Sequence, residues 1–181
     1  ERCRMIPKRI VRAVLERDNW TCQLAMVPEC LVDATVADHR ADRGHGGSKI
    51  LNDMACLVAA CGICNSAKAD AHSLQLIALQ ERGLDVLKAA TNHATVARCR
   101  ETPVQGLDGV WWWLTSDGRR VEVGEEVPFE DVPALLVGMG YTDAGDVDAP
   151  GTFHVHGDTV DVFPAQATSP VRLEWIGRAH V

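Results

Sequence analysis

Residues 56–68 read CLVAACGICNSAK, with Cys61 and Cys64 two residues apart, Asn65 directly behind them and Lys68 one turn on. A Cys-x-x-Cys pair can be a redox dithiol or half of a zinc site. A redox pair usually follows a strand in a thioredoxin-like context, and nothing in the sequence supplies one. Zinc takes four soft ligands in a tetrahedron, normally as two thiol pairs from separate segments. A second pair exists in CQLAMVPEC, where Cys22 and Cys30 stand further apart than the usual two to four residues. The plain alternative is that all four are small buried residues, as free cysteines often are. Between the pairs lie Asp38 and His39, then a glycine-rich loop, RADRGHGGSK. A carboxylate and an amide oxygen are the hard ligands that magnesium or manganese prefer. A histidine beside them can take a proton from water near neutral pH. The arrangement suits a structural zinc on the thiols, pinning a helix that presents Asn65 to a second, catalytic metal.

These residues need a hairpin, a loop and a helix to bring them together. The run PKRIVRAVLERD predicts a helix over 7–18, with Pro7 at its first position and Ile10, Val11, Val14 and Leu15 on one face. A short knuckle without a clear period follows. ATVADH, 34–39, reads as extended and ends on Asp38 and His39. From about Cys61 the pattern turns helical and runs through SLQLIALQERG, where Leu74, Ile77 and Leu79 are apolar and Gly83 is a C-cap candidate. Beyond residue 88 the pattern weakens. VWWWLTSDGRRVEV predicts a hairpin turning at Ser116-Asp117-Gly118, with the tryptophans as apolar packing. Residues 129–140 predict a short helix ending in glycine. TFHVHGDTVDVF predicts a hairpin turning at Gly157-Asp158, with Phe153, Val155, Val160 and Val162 on one face and His154, His156, Thr159 and Asp161 on the other.

The net charge of −7 argues at first against nucleic acid, but its distribution is uneven. Residues 1–72 carry ten Lys/Arg against nine Asp/Glu, with a basic cluster in RCRMIPKRIVR, whereas residues 124–181 carry two against ten. A DNA-contacting front and an acidic, protein-facing tail fit this asymmetry. No run of about 18 apolar residues is present, so no membrane span is expected. No signal peptide is visible, and the expected location is cytoplasmic, in a bacterial host cell or phage-encoded. Seven cysteines in such a chain favour metal binding or burial over disulfides.

Residues 1 to about 88 resemble HNH endonucleases with a ββα-metal site, particularly those of actinobacterial phages. The carriers are RD-x-W-x-C (17–22), Cys30, ADHRADRGHGGSK (37–49) and LVAACGICNSAK (57–68). The resemblance implies that His39 is the general base and that Asp38 and Asn65 bind one Mg2+ or Mn2+. It implies that Cys22, Cys30, Cys61 and Cys64 hold structural Zn2+. Arg40, Arg43, Lys49 and Lys68 become candidates for DNA phosphate contacts. The family's central asparagine, which orients the histidine, stands five residues before the first thiol of the second pair. That position is Cys56 here, and Asn52, four residues earlier, is the candidate to replace it. His45 and His72 are read as solvent-exposed and not as ligands.

Residues from about 121 are similar to a different family, the UvrA-interaction domain of UvrB and of the transcription-repair coupling factor. The carriers are VGEEVPFEDVPALLVGMGY, APGTFHVHGDTVDVFPA and SPVRLEWIG. This implies a small α/β domain that binds UvrA, with Phe153, His154 and His156 at the partner-contacting positions. Where the family reads T-F-R-V-R-G-D, this chain has histidines at 154 and 156. Histidine lacks arginine's fork and is mostly neutral at pH 7.

The expected fold class is α+β: an HNH ββα-metal module with structural zinc over 1–88, a hairpin extension or linker over 89–120, and a UvrB-interaction-like α/β domain over 121–181. The expected function is metal-dependent hydrolysis of DNA phosphodiesters, directed to UvrA or repair sites by the tail. The alternative is a catalytically degenerate zinc-binding adaptor that binds DNA, UvrA or both.

Overall fold

The structure, a computed structural model, describes residues 6–44, 47–124 and 127–174. His45, the first residues of the basic cluster, and the end of the SPVRLEWIG run lie outside the described residues. Two compact units divide the chain, 1–124 and 125–181.

In the first unit, helix α1 (Lys8–Arg17) buries Val14 and Leu15 against the hairpin behind it. Pro7 stands one place earlier than expected, as the N-cap with extended backbone. The helix ends on a polar hub. Asp18 is 1% exposed, and its carboxylate accepts from Arg17, from Arg120 and from the backbone N–H of Ala59. Arg17 also donates to Met54 O and Leu57 O. A buried carboxylate is tolerated where cations and N–H groups surround it. The Arg-Asp pair of the motif is therefore a fastener.

Strand β1 (Val36–His39) pairs antiparallel with β2 (Leu57–Ala60), setting Asp38 opposite Val58 and His39 opposite Leu57. All four β2 residues are buried, so β2 reads as a continuous apolar run and not as an alternation. Two 3₁₀ turns, 50–52 and 54–56, lead into it. Helix α2 (Gly62–Ala69) follows at once and completes a ββα unit. The helix expected from Cys61 to Gly83 is two helices. α2 stops at Asp70, the backbone is extended at His72, and α3 (Ser73–Glu81) starts afresh. Leu74 is consequently 80% exposed, while Leu79 packs in the core.

The segment 89–122 packs onto this unit through its own elements. Helix α4 (Asn92–Arg100) is capped by Thr91, whose hydroxyl accepts from the N–H of Ala94, and it buries Thr95, Val96 and Cys99. A three-stranded antiparallel sheet follows, with β3 (Val104–Gln105), β4 (Trp111–Leu114) and β5 (Arg120–Glu122) in that order. Val104 and Leu114 join the main core beside Leu24, Val58, Leu79 and Leu84. Trp112 packs on that core with the Arg120 guanidinium over its ring.

In the second unit, helix α5 (Val132–Gly138) lies against a four-stranded sheet ordered β6 (Thr142–Asp143), β7 (Thr152–His156), β8 (Thr159–Phe163), β9 (Val171–Glu174). β6 runs parallel to β7 and the other pairs are antiparallel. The β7–β8 register sets His154 opposite Asp161 and His156 opposite Thr159, as the alternation predicts. Gly157, at φ +59°, makes the turn between them. Leu136, Phe153, Val160 and Val162 form the core. No helix among the described residues is long and apolar enough to cross a membrane.

Candidate metal and catalytic sites

The knuckle over 19–33 curls back so that the N–H of Cys22 meets Val32 O and Thr21 bridges Asp33. Asn19, Trp20, Ala25 and Val32 all have positive φ there, and for a β-branched valine this is unusual. The curl brings Cys22 and Cys30 to Cys61 and Cys64. The four sulfurs all lie within 4.8 Å of one another, and Cys30 Sγ is 3.9 Å from Cys61 Sγ. Zinc–sulfur bonds of about 2.3 Å in a tetrahedron put sulfurs about 3.8 Å apart, so this donor set fits zinc in number, softness and spacing. Burial pushes the Cys22 thiol up and Cys64 up to about 12. At Cys61 burial is outweighed by hydrogen bonds from the N–H groups of Cys64 and Leu31 and from the neighbouring thiols, which bring it down to about 6. Thiolate is the form that binds metal.

Asp38, His39, Asn65 and Lys68 line one cavity of about 840 Å³. β1 supplies Asp38 and His39, and α2 supplies Asn65 and Lys68. Arg43, Asp85 and Lys88 also line it. Asn52 lies behind the cavity, 7% exposed, with Oδ1 3.1 Å from His39 Nε2. Cys56 is fully buried beside Cys99. Asn52 is thus the residue in contact with His39. Burial, followed by the nearby charge of Arg43, lowers the His39 imidazole to about 4. A neutral ring that donates Nε2–H to Asn52 keeps the Nδ1 lone pair for a proton. Burial raises the Asp38 carboxyl, while the Lys68 ammonium at 2.7 Å opposes it. Asp38 and Asn65 offer a carboxylate and an amide oxygen to one space, a donor pair that suits a hard divalent cation.

The structure departs from several expectations. Arg40 is no phosphate contact. It is fully buried, and its guanidinium donates to the backbone carbonyls of Gly83, Ala55, Cys99 and Thr102. Burial lowers it to about 10. Lys68 lines the cavity, and its ammonium donates to Asp38 Oδ2, His39 O and Leu84 O. Lys49 is exposed but lies away from the cavity lining, whereas Arg43 lines it. His72 is exposed at the N-cap of α3. Phe153 is 1% exposed in the core of the second unit and cannot meet a partner. Asp85 and Lys88 were not singled out from sequence. Only their position after α3, where the chain returns to Lys68, brings them to the cavity.

On the second unit's sheet, one row runs His154–Asp161–Arg172 across three strands. Arg172 makes two bonds to Asp161, at 2.7 and 2.8 Å. His154 Nδ1 is 3.1 Å from Asp143 Oδ1, and the His154 and His156 rings meet edge to face at 4.3 Å.

This polar row belongs to a recognised domain: residues 120–179 match the UvrB interaction domain family. Among relatives, a transcription-repair-coupling factor of Bacillus subtilis is 32% identical over 102 residues, covering 53% of this chain and 8% of that protein. A UvrABC system protein B of Halobacterium salinarum is 46% identical over 59 residues, 32% of this chain and 8% of that protein. A transcription-repair-coupling factor of Mycobacterium tuberculosis is 44% identical over 55 residues, 30% and 4% respectively. The chain spans less than a tenth of the length of each of these relatives. No solved structure matches. The family match begins at Arg120, so the cavity of the first unit is read from its own residues.

Proposed function

We propose that the first unit is a zinc-stapled ββα-metal nuclease of the HNH type, and that the second unit docks it on UvrA. The observation that carries the nuclease reading is the contact of His39 with Asn52 beside a cavity lined by Asp38 and Asn65. In this reading Asn52 accepts the Nε2 proton and fixes the imidazole. His39, kept neutral by burial, takes a proton from the attacking water at Nδ1. Asp38 and Asn65 would hold Mg2+ or Mn2+, which supplies charge stabilisation at the scissile phosphate and the leaving 3′ oxygen. Arg43 and Lys88 line the same cavity and are the cations available to the DNA backbone. Cys22, Cys30, Cys61 and Cys64 would hold Zn2+ as a cross-link between knuckle and helix.

The docking role rests on the family match over 120–179. That match also favours a second reading, a non-enzymatic adaptor that uses only the tail. One experiment separates them. The zinc-loaded chain is incubated with supercoiled plasmid and Mg2+ or Mn2+, beside His39→Ala, and its association with UvrA is measured. Cutting by wild type alone supports the nuclease. UvrA binding without cutting supports the adaptor. Neither activity rejects both.

A further inference from the structure

Lys68 has the sequence position of a surface cation on a short helix, yet its side chain is only 10% exposed. An ammonium has three donors. Those of Lys68 reach Asp38 Oδ2 at 2.7 Å, His39 O at 2.8 Å and Leu84 O at 3.0 Å. Two acceptors lie at the end of β1, and the third lies in the segment that follows α3. All three donors of Lys68 are spent on the walls of the cavity.

Two consequences follow from those bonds. Lys68 takes one of the two Asp38 oxygens, which limits how that carboxylate turns. Through Leu84 O it also ties down the neighbouring Asp85, whose Oδ2 accepts from Gln80 Nε2 at 2.9 Å and whose side chain lines the same cavity. Asp85 and Asp38 thus line the same cavity, with one oxygen occupied in each.

Resting on the nuclease reading above, we propose that Lys68 is a positioning residue of the cation site: its ammonium holds Asp38 by one oxygen and anchors the 84–88 segment that carries Asp85 into the same cavity. Lys68 touches no reacting atom in this arrangement. Its removal lets the Asp38 carboxylate turn and loosens Asp85, while the DNA contacts stay in place.

The test uses the zinc-loaded full chain. Wild type, Lys68→Met and Lys68→Arg are compared in plasmid nicking against Mg2+ and DNA concentration. The 15N signal of the Lys68 ammonium in wild type is followed as Mg2+ is added. Lys68→Met is expected to cut at least about tenfold slower at saturating Mg2+, with the plasmid KM within about twofold of wild type. Lys68→Arg does not rescue it, because a planar fork cannot reach the same three acceptors. The ammonium signal shifts over the Mg2+ range that activates cutting. A raised KM with unchanged kcat, restored by Lys68→Arg, marks a phosphate contact and overturns the proposal. An ammonium signal blind to Mg2+ in a wild-type chain that cuts overturns it as well, and decides the matter if Lys68→Met does not fold. A wild-type chain that neither cuts nor shows a shift rejects the nuclease reading, and this inference falls with it.

Discussion

His39 Nε2 and Asn52 Oδ1 lie 3.1 Å apart, across a loop of twelve intervening residues. The 3₁₀ turn over 50–52 brings the amide there, and the buried side chain of Leu51 anchors that turn. An amide oxygen that accepts from Nε2 selects one tautomer and one ring orientation. On the nuclease reading, Asn52→Ala is expected to lower cutting at saturating Mg2+ by about 10–100-fold with little change in plasmid KM. Cys56→Ala leaves cutting in place, because Cys56 meets Cys99 and not the histidine. Rates of plasmid nicking for the two variants, side by side, check this. Equal losses would return the central role to position 56.

Arg40 is a cation whose partners in the core are four backbone carbonyls. Those carbonyls belong to the second 3₁₀ turn, the turn after α3 and the end of α4, so one side chain closes three segments together. Arg40→Met leaves all four carbonyls without this donor, at roughly 1–3 kcal/mol for each that stays buried and unpaired. The expected loss is at least about 3 kcal/mol in urea unfolding, with Arg40→Lys recovering only part, since an ammonium lacks the fork. Where the variant folds, the nuclease reading expects an unchanged salt dependence of DNA binding, which a phosphate contact would not allow.

Burial of His39 makes the first unit sensitive to acid. The folded ring titrates at about 4, against about 6.5 in an unfolded chain. Between these values the unfolded chain takes up the proton and the folded chain does not. The contribution is therefore fully present above about pH 6.5 and is lost as pH falls toward 4. It amounts to no more than about 3 kcal/mol. Urea midpoints at several pH values for wild type and His39→Gln isolate it, because acid loss of thiol-bound metal affects both chains alike. Parallel curves for the two would refute it.

Much of this was legible in the residues, and the parts that were not have physical reasons. The alternation in TFHVHGDTVDVF gave the hairpin and its register, because one face is buried and a one-residue slip would invert every side chain. The spacing of Cys22, Cys30, Cys61 and Cys64 pointed to a cluster, since sulfurs on a knuckle and a helix turn can converge. β2 was hidden because LVAA is buried throughout and has no period to read. α4 was hidden because NHATVARCR buries only Thr95, Val96 and Cys99, and its clearest signal is the Thr91 cap. Arg40 and Lys68 were read as surface cations because sequence reports a charge but not its acceptors. Arg40 ends on four backbone carbonyls, which every residue carries, and Lys68 on two more and the Asp38 carboxylate.

The second unit offers a test by restoration. His154 and His156 stand where the resembling family has arginines, on a sheet face that already holds Asp143, Asp161 and Arg172. Replacing both, His154→Arg with His156→Arg, gives that face two permanent charges with bidentate donors. UvrA association is expected to tighten at least about tenfold and to become more sensitive to salt. Phe153→Ala is the contrasting variant. It opens the core and lowers stability by roughly 3–5 kcal/mol, and any loss of binding follows loss of fold. Surface binding kinetics with purified UvrA, read beside circular dichroism, distinguish the two. An unchanged affinity for the double variant would remove the sheet face from the partner surface.

Gly83 follows α3 with φ +68°, and a Cβ there would sit 1.9 Å from Pro103 O. Its own carbonyl accepts from Arg40. Two stretches of backbone pass at this point with no room for a single methyl group. A complete scan of single substitutions would score the position as intolerant, though it is not among the residues that line the cavity. Intolerance in this chain will therefore mark two different things, and only a readout that separates folding from turnover can tell them apart.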